Sequence, residues 1–238
     1  MNTILHIDTS GPDALIGISQ DLKIIASKQN SQSNTHGEFV QAGVDELFRD
    51  SAMQLKDIDA IAVTMGPGSY TGLRVGLASA KGLAFALNKP LIGLSTLTLL
   101  AKAAVGHLTA TENPLVNEKQ LQVFSMIDAR RMEIFGAIYN SSLGYLAAEK
   151  AMILDEALLL ALLSNGPLIC IGSGVAKTKI LTQHADFQNS SPLFLDCSYT
   201  IHDMAALAMI KFKAADFEDL AYSGPAYLKD YYQKPLIK

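Results

Sequence analysis

Hydrophobic and polar positions follow two periods along the chain, alternating in short runs and recurring every three to four residues in longer ones. The first period is typical of strands and the second of amphipathic helices. In the first half they predict strands at 3–8, 15–19, 22–27, 58–65 and 91–94, and helices at 35–48, 73–87 and 96–105. The helix at 35–48 is expected to start with a capping box formed by Thr35 and Glu38.

Polar and turn-forming residues at 106–119 indicate a boundary, after which a similar order of elements begins again. The second half is predicted to hold strands at 121–128, 133–139, 145–154 and 167–171, and helices at 155–163 and 200–217. Alternating strands and helices favour an α/β fold with helices packed on partly parallel sheets. We therefore expect two domains, 1–108 and 109–238.

The composition argues against several classes of protein. Of the 238 residues 49% are hydrophobic and 18% are charged, which supports a folded core rather than disorder. The net charge of −4 argues against a chain that binds nucleic acid without a partner. No run approaches the roughly 20 apolar residues of a membrane span, and the N-terminus lacks the basic region of a signal peptide, so a cytoplasmic location is expected. Cys170 and Cys197 are predicted to be buried, reduced thiols.

The segment 66–76, GPGSYTGLRVG, lies between a predicted strand and a predicted helix. Free backbone N–H groups at such a position bind anions, so Gly66, Gly68, Ser69 and Thr71 are candidates for nucleotide phosphate contacts. The segment lacks the Gly-Lys-Ser/Thr of a P-loop. The alternative is that the glycines permit a tight turn and close packing, while Ser69 or Thr71 caps the helix.

Small residues form two rows on the helix at 73–87 and its preceding turn, each spaced by four residues. The first row consists of positions 72, 76, 80 and 84, and the second of 78, 82 and 86. Neighbouring elements can approach such rows closely.

Other chemistry-bearing residues are scattered. Asp8, at the end of the first strand, either holds a magnesium-bound phosphate or is a solvated turn acid. Asp128 occupies the matching place in the second half, but no glycine-rich turn stands beside it. The five histidines show no metal-binding spacing, so no metal site is predicted. Spacing does not exclude a Ser-His-Asp triad, but nothing in the sequence supports one, and no catalytic residue is predicted. The tail at 226–238 mixes tyrosines and lysines; a solvated end is favoured over an RNA contact.

Four segments together resemble the TsaB (YeaZ) family of bacterial tRNA modification subunits: ILHIDTS at 4–10, GPGSYTGLRVG at 66–76, IGLSTL at 92–97 and IDAR at 127–130. The resemblance implies two ribonuclease-H-like lobes of the actin, Hsp70 and sugar-kinase type. It also implies a partner, the related catalytic subunit TsaD, which acts with the ATPase TsaE to transfer threonylcarbamoyl to an adenosine beside the tRNA anticodon.

The resemblance further implies an accessory subunit rather than an enzyme. TsaD carries a His-x-x-x-His metal pair at the position where this chain has Ser95-Thr96-Leu97-Thr98-Leu99. We therefore expect no intrinsic cofactor, with ATP or ADP and magnesium confined to the partner complex, and tRNA reached through that complex. The alternative is an ATPase or kinase-like enzyme that uses Asp8 and the turn at 66–72.

In the family the first two helices pack on the equivalent helices of TsaD. This implies an interface on the helices at 35–48 and 73–87, with a homodimer through the same apolar patch when the partner is absent. The interface is expected to include residues from Val40, Gly43, Val44, Leu47, Leu77, Ala80, Lys81 and Ala84. Some of these must instead face the chain's own sheet, and the sequence does not separate the two sets. On this hypothesis Ala80→Arg abolishes partner binding and leaves the fold intact.

Overall fold

The strands of the first half form one sheet around a fully buried central strand. The computed structural model describes residues 1–32, 35–183, 187 and 190–229. All six residues of β1 are buried, because it pairs antiparallel with β2 on one side and parallel with β4 on the other. The elements of this half are β1 (Thr3–Asp8), β2 (Ala14–Gln20), β3 (Lys23–Asn30), α1 (His36–Asp50), β4 (Ala60–Gly66), α2 (Tyr70–Leu87), β5 (Leu91–Ser95) and α3 (Thr96–Ala110).

The second half repeats this plan. Its elements are β6 (Gln122–Asp128), β7 (Glu133–Tyr139), β8 (Tyr145–Ile153), α4 (Glu156–Ser164), β9 (Leu168–Ile171), α5 (Val175–Leu181), β10 (Leu193–Leu195) and α6 (Ile201–Lys213). The first sheet has the strand order β3-β2-β1-β4-β5 and the second has β8-β7-β6-β9-β10. In both, an antiparallel meander of three strands is followed by two parallel strands. This is the ribonuclease-H-like plan, and it confirms the predicted α/β fold of two related lobes.

Helices and sheets stack in five layers. Helices α1 and α2 cover the outer face of the first sheet, and α4 and α5 cover the outer face of the second. Helix α3 lies in the middle: Leu99 packs with the first sheet, while Leu97 and Leu100 pack with the second. A helix that contacts a sheet on each side must be apolar around most of its circumference, and eight of the fifteen residues of α3 are buried. Helix α6 packs beside α3 on the first sheet.

The predicted division of the chain places α6 in the second domain, but this helix packs on the first sheet. The boundary after residue 108 separates the two sheets in sequence, but Met204, Ala208 and Met209 of α6 pack against Ile4 and Ile92 of the first sheet. The reason is that the inner face of the first sheet is apolar and α3 alone does not cover it. The second half therefore contributes a helix to the core of the first lobe.

Several local predictions need correction. Thr35 makes no capping bond to α1; its hydroxyl donates to the Gln32 carbonyl oxygen instead. The capping box of Thr200 with Asp203 is present at α6. Helix α5 and strand β10 were not predicted, since each is short and carries few periodic positions. Cys170 is buried as predicted, whereas Cys197 is half-buried.

A buried histidine lies in the central strand of the first sheet. His6 is fully buried, and its Nε2 atom is 2.8 Å from the Ser19 hydroxyl on β2. The other ring nitrogen, Nδ1, has no hydrogen-bond partner. Burial lowers the pKa of His6 from 6.5 to about 3, because the charged imidazolium would lose its hydration.

Stability is expected to fall as the solution is acidified below neutrality. Below pH 6.5 the unfolded chain binds a proton at His6 that the folded chain does not bind, and this difference persists down to the folded pKa of about 3. The free energy of unfolding should therefore decrease by up to about 1.4 kcal/mol per pH unit from this residue. Urea unfolding at pH 7.5, 6 and 5 measures how steeply the free energy of unfolding changes with pH. His6→Gln should flatten this dependence, whereas His107→Gln, at an exposed position of α3, should leave it unchanged.

Candidate functional site

The Asp8 carboxylate at the end of β1 is held by three donors, one from the adjoining loop and two from distant parts of the chain. Its Oδ1 atom accepts hydrogen bonds from the Ser10 backbone N–H at 2.9 Å and from the Thr64 hydroxyl at 2.6 Å. Its Oδ2 atom accepts one from the Tyr199 hydroxyl at 2.8 Å. Asp8 is 3% exposed, so these bonds offset the cost of burying its charge.

Tyr199 links this carboxylate to the segment that precedes α6. Its hydroxyl also lies 2.9 Å from the Ser10 hydroxyl. Burial, together with the nearby charge of Asp8, raises the pKa of Tyr199 well above its ordinary value, so the phenol keeps its proton and donates to Asp8. Both carboxylate oxygens are therefore engaged within the protein, which favours a structural role for Asp8 over magnesium binding.

The glycine-rich turn packs directly on the loop that follows β1. A Cβ atom on Gly68 would overlap the Ser10 carbonyl oxygen, and one on Gly72 would overlap the Thr9 carbonyl oxygen. The Ser69 backbone N–H donates to the Ser10 carbonyl at 2.7 Å, and the Thr9 hydroxyl donates to the Gly72 carbonyl at 2.6 Å. Ser69 caps α2 by accepting from the Gly72 N–H at 3.2 Å. The turn thus has the features of the close-packing alternative, with Ser69 rather than Thr71 as the cap.

A cleft of about 800 Å³ separates the two lobes at this end of the sheets. Of the five residues predicted to contact nucleotide, Gly68 and Ser69 line the cleft, while Asp8, Gly66 and Thr71 do not. The opposite wall includes Asp128, Ser173 and Lys179, which belong to the second lobe, and the segment from Leu195 to Tyr199. Half-buried Cys197 lies on this wall.

Asp128 is paired with a cation of its own lobe. Lys177 on α5 donates from Nζ to Asp128 Oδ1 at 2.8 Å and to the Glu133 carbonyl oxygen at 2.7 Å. The Lys177 hydrogen bond, followed by one from the Arg130 backbone N–H, holds the pKa of Asp128 below its ordinary value. The carboxylate is ionised at neutral pH and part of it faces the cleft.

Most residues of the predicted partner interface belong to the core of the first lobe. Seven of its eight residues are buried in the first lobe, where they pack on the chain's own sheet: Val40, Gly43, Val44, Leu47, Leu77, Ala80 and Ala84. Lys81 is half-buried and donates from Nζ to the Ser223 carbonyl oxygen at 2.9 Å. Because Ala80 is 0% exposed, Ala80→Arg would disrupt the core, and it cannot serve as a test of partner binding.

The outer face of the same two helices carries different residues. Between α1 and α2 a shallow groove of about 380 Å³ is lined by small or polar side chains, including Gln41, Ala78, Ser79 and Gly82, over a floor formed in part by the buried valines of α1. Phe85, three residues after Gly82 on α2, is 81% exposed. Of the two rows of small residues on α2, the one at 72, 76, 80 and 84 faces the lobe, and the one at 78, 82 and 86 faces outward.

Residues 1–32, 35–183, 187 and 190–229 contain no cluster of three or more histidine, cysteine, aspartate or glutamate side chains able to hold a metal ion. Within the same ranges no helix has the length and apolarity required to cross a membrane. Only residues 226–229 of the predicted tyrosine and lysine tail lie within the described part of the chain, and they form one wall of a second groove. The rest of the tail, 230–238, lies outside the described residues.

Comparison with known proteins identifies the family. A family model described as TsaD, tRNA N6-adenosine threonylcarbamoyltransferase, matches residues 23–236. The chain therefore belongs to this family. Its similarity to proteins named TsaB and YeaZ supports a place in the TsaB (YeaZ) group.

Relatives named tRNA threonylcarbamoyladenosine biosynthesis protein TsaB include that of Haemophilus influenzae, 35% identical over 133 residues, which are 56% of this chain and 52% of that protein. The Bacillus subtilis TsaB is 31% identical over 159 residues, 67% of this chain and 63% of that protein. The matched region thus spans between about half and two thirds of these relatives. The solved structure of YeaZ from Pseudomonas aeruginosa shares the fold, with a TM-score of 0.76 at 22% identity over 96% of this chain and 100% of that one.

Some residues of the site were not found from sequence. Tyr199 is 191 positions away from Asp8, and no local pattern connects them. Lys177 lies in the unpredicted helix α5. The sequence places Ala78 and Gly82 in the row of small residues at 78, 82 and 86. It does not show that this row is exposed and that the row at 72, 76, 80 and 84 is buried. Arg74 belongs to the glycine-rich motif, but its contact with Tyr227 joins residues far apart in sequence and could not be predicted.

Two glycines of α2 should respond in opposite ways to alanine. A Cβ atom on Gly76 would overlap the Thr9 hydroxyl, so Gly76→Ala should lower the free energy of unfolding by about 1–3 kcal/mol. Around Gly82 nothing lies within 4 Å of an added Cβ, so Gly82→Ala should raise it by about 0.5–1 kcal/mol through helix propensity. Urea unfolding of both variants measures the difference. Equal effects would contradict the close packing of α2 on Thr9.

The structural role of Asp8 predicts the effect of removing its partner. Tyr199→Phe keeps the ring but leaves a buried carboxylate oxygen without its donor, which should destabilise the fold by about 1–3 kcal/mol. Tyr145→Phe, which removes a hydroxyl that also donates to a carboxylate but is half exposed, should cost less. Thermal unfolding compares the two, and a smaller loss for Tyr199→Phe would contradict this role.

Proposed function

We propose that this chain is a non-catalytic scaffold and activating subunit for tRNA threonylcarbamoyladenosine synthesis. In this proposal it binds a TsaD-type catalytic subunit and acts with a TsaE-type ATPase, and the threonylcarbamoyl group is transferred by TsaD to the adenosine beside the tRNA anticodon. The family membership of residues 23–236 and the names of the TsaB relatives support the pathway. The observation that carries the assignment to a binding subunit is the smooth outward row of α2 at 78, 82 and 86, beside exposed Phe85.

This outer face has the properties required for close helix packing. Ala78 and Gly82 present almost no side-chain bulk, so the helices of a partner can approach α2 closely. Phe85 offers a large apolar side chain next to them, of the kind that anchors protein interfaces. We assign the partner surface to Gln41, Ala42, Asp45, Ala78, Ser79, Gly82, Phe85 and Ala86, which replace the buried residues first predicted.

The internal bonding of the two motifs nearest the cleft supports an accessory role. The Asp8 carboxylate is engaged by Ser10, Thr64 and Tyr199, and the glycine-rich turn is engaged by Thr9 and Ser10. An ATPase or kinase of this fold would need the same groups for magnesium and phosphate. We therefore place the essential nucleotide and magnesium at the partner complex rather than in the isolated chain.

The proposed partner surface also accounts for the homodimer that is expected when TsaD is absent. With no TsaD present, exposed Phe85 and the neighbouring small residues favour self-association of two copies, so we propose a homodimer that exchanges for the heteromer. In both assemblies α2 would use its outward row.

Gly82→Arg should separate binding from folding. An arginine at this exposed position has room outside the lobe but would block the approach of a partner helix, so the affinity for TsaD should fall by at least about a hundredfold. Gly106→Arg on α3 is the matched control, because this helical glycine also has nothing within 4 Å of an added Cβ. Size-exclusion chromatography with light scattering, with and without the organism's own TsaD, measures both assemblies.

Two results would contradict the proposal: wild-type protein that elutes independently of TsaD with and without ATP and magnesium, or Gly82→Arg protein that binds TsaD as tightly as Gly106→Arg. Calorimetry of the isolated chain with ATP and magnesium tests the ATPase alternative. Heat of binding at micromolar nucleotide would favour that alternative, and its absence up to millimolar nucleotide would remove it.

A further inference from the structure

A second groove, of about 840 Å³, lies beside the interlobe cleft and combines aromatic with cationic side chains. It is built from three separate parts of the chain. Tyr70 and Arg74 come from the first turns of α2, Arg130 and Phe135 from the β6–β7 hairpin of the other lobe, and residues 226–229 from the segment after α6. Gly68 and Phe135 line both the groove and the cleft, so the two openings are continuous.

The aromatic side is ordered by a stack around Arg74. The Arg74 guanidinium carbon is 4.0 Å from the centroid of the Tyr70 ring, and Arg74 Nε donates to the Tyr227 hydroxyl at 2.8 Å. The two tyrosine rings are 5.7 Å apart at their centroids. Each tyrosine nevertheless keeps about half of its surface exposed, 48% for Tyr70 and 51% for Tyr227. Rings that are fixed in place and still accessible can stack on a planar ligand at a small entropic cost.

The charge of the groove is opposite to that of the whole chain. Arg74, Arg130 and Lys229 line it, and none of its described lining residues is acidic. Lys229 is also paired with Glu133 of β7 at 2.5 Å. The cationic lining of the groove contrasts with the net charge of −4 on the whole chain. A positive site on an acidic protein concentrates anions locally without giving general affinity for polyanions.

The backbone at Arg130 supports a role for this side chain. Arg130 and Arg131 have φ angles of 73° and 49°, a region that non-glycine residues occupy at a cost of about 1 kcal/mol each. Asparagine or glycine would fit this hairpin turn with less strain. The strained turn holds a long cation at the rim of the groove.

From these contacts we propose that the groove binds an unpaired segment of RNA, with its bases on the accessible faces of Tyr70 and Tyr227 and its phosphates near Arg130 and Arg74. Exposed tyrosines beside arginines are suited to single-stranded nucleic acid, because every base offers a π face and every nucleotide a phosphate. An acidic peptide would use the cations but would gain little from two accessible rings. The tRNA substrate class rests on the proposed function; the RNA-binding site itself rests on the groove.

Fluorescence anisotropy with a labelled RNA hairpin tests the site, using the full chain alone and bound to TsaD. The hairpin carries an unpaired loop, and a continuous duplex of the same stem is the comparison. Tyr227→Ala should weaken binding of the hairpin about tenfold, because a stacking surface is removed. Tyr227→Phe keeps the ring and loses only the hydroxyl that accepts from Arg74, so it should weaken binding less than Tyr227→Ala does.

Arg130→Glu should weaken binding and should also reduce the slope of log affinity against log salt by about 0.7 for each phosphate that the protein no longer neutralises. Two control variants lie outside the groove: Tyr222→Ala, which removes a tyrosine that is 90% exposed, and Lys23→Glu on the first sheet. Both should bind the hairpin like the wild type. Thermal unfolding of every variant establishes that the fold is retained.

The proposal is overturned if Tyr227→Ala and Arg130→Glu bind the hairpin like the wild type, if the duplex binds as tightly as the hairpin, or if a polyglutamate peptide displaces the hairpin more effectively than unlabelled RNA. Failure of the scaffold function has a different signature. The Gly82→Arg protein should no longer bind TsaD but should still bind RNA. The groove variants should bind RNA weakly but should still bind TsaD. RNA binding by a wild-type chain that does not bind TsaD would support the groove and contradict the scaffold.

Discussion

The approach of α2 to the loop after β1 is the contact on which the other features of the first lobe depend. The helix lies so close to Thr9 and Ser10 that Gly68, Gly72 and Gly76 have no room for a Cβ atom. This contact fixes the loop that carries Asp8 and forms one edge of the interlobe cleft. It also fixes the rotation of α2 about its axis, and thereby directs its second row of small residues toward solvent.

The two lobes are joined by shared helices rather than by a flexible connection. Helix α3 contributes apolar side chains to the cores on both of its sides, and α6 returns from the second half to cover the first sheet. The bond from Tyr199 to Asp8 ties the start of α6 to the end of β1. Because a change in the angle between the lobes would break packing within these layers, the arrangement suits a subunit that offers preformed surfaces to its partners.

The surface separates two chemistries that the proposals assign to different partners. The groove between α1 and α2 is lined by small, apolar and polar residues with Asp45 as its charged member, whereas the groove at Tyr70, Arg74 and Arg130 is aromatic and cationic. Both surfaces involve α2: its first turns carry the stacked tyrosine and arginine, and its later turns carry Gly82 and Phe85. One helix therefore orients the proposed protein-binding surface and the proposed RNA-binding groove with respect to each other.

Local sequence patterns were sufficient for the order of most elements and for the repetition of that order in the two halves, because periodicity and turn chemistry act over a few residues; the short α5 and β10 were missed. The family was indicated by the resemblance of four motifs. Local patterns also indicated that the glycines of α2 permit close packing. They did not reveal that the row at 72, 76, 80 and 84 faces inward, since the row at 78, 82 and 86 is equally small. Nor did they reveal the bond between Asp8 and Tyr199, the return of α6 to the first sheet, or the meeting of Arg74, Arg130 and Tyr227 in one groove. These features join residues far apart in sequence, and only the packing of the sheets and helices brings them together.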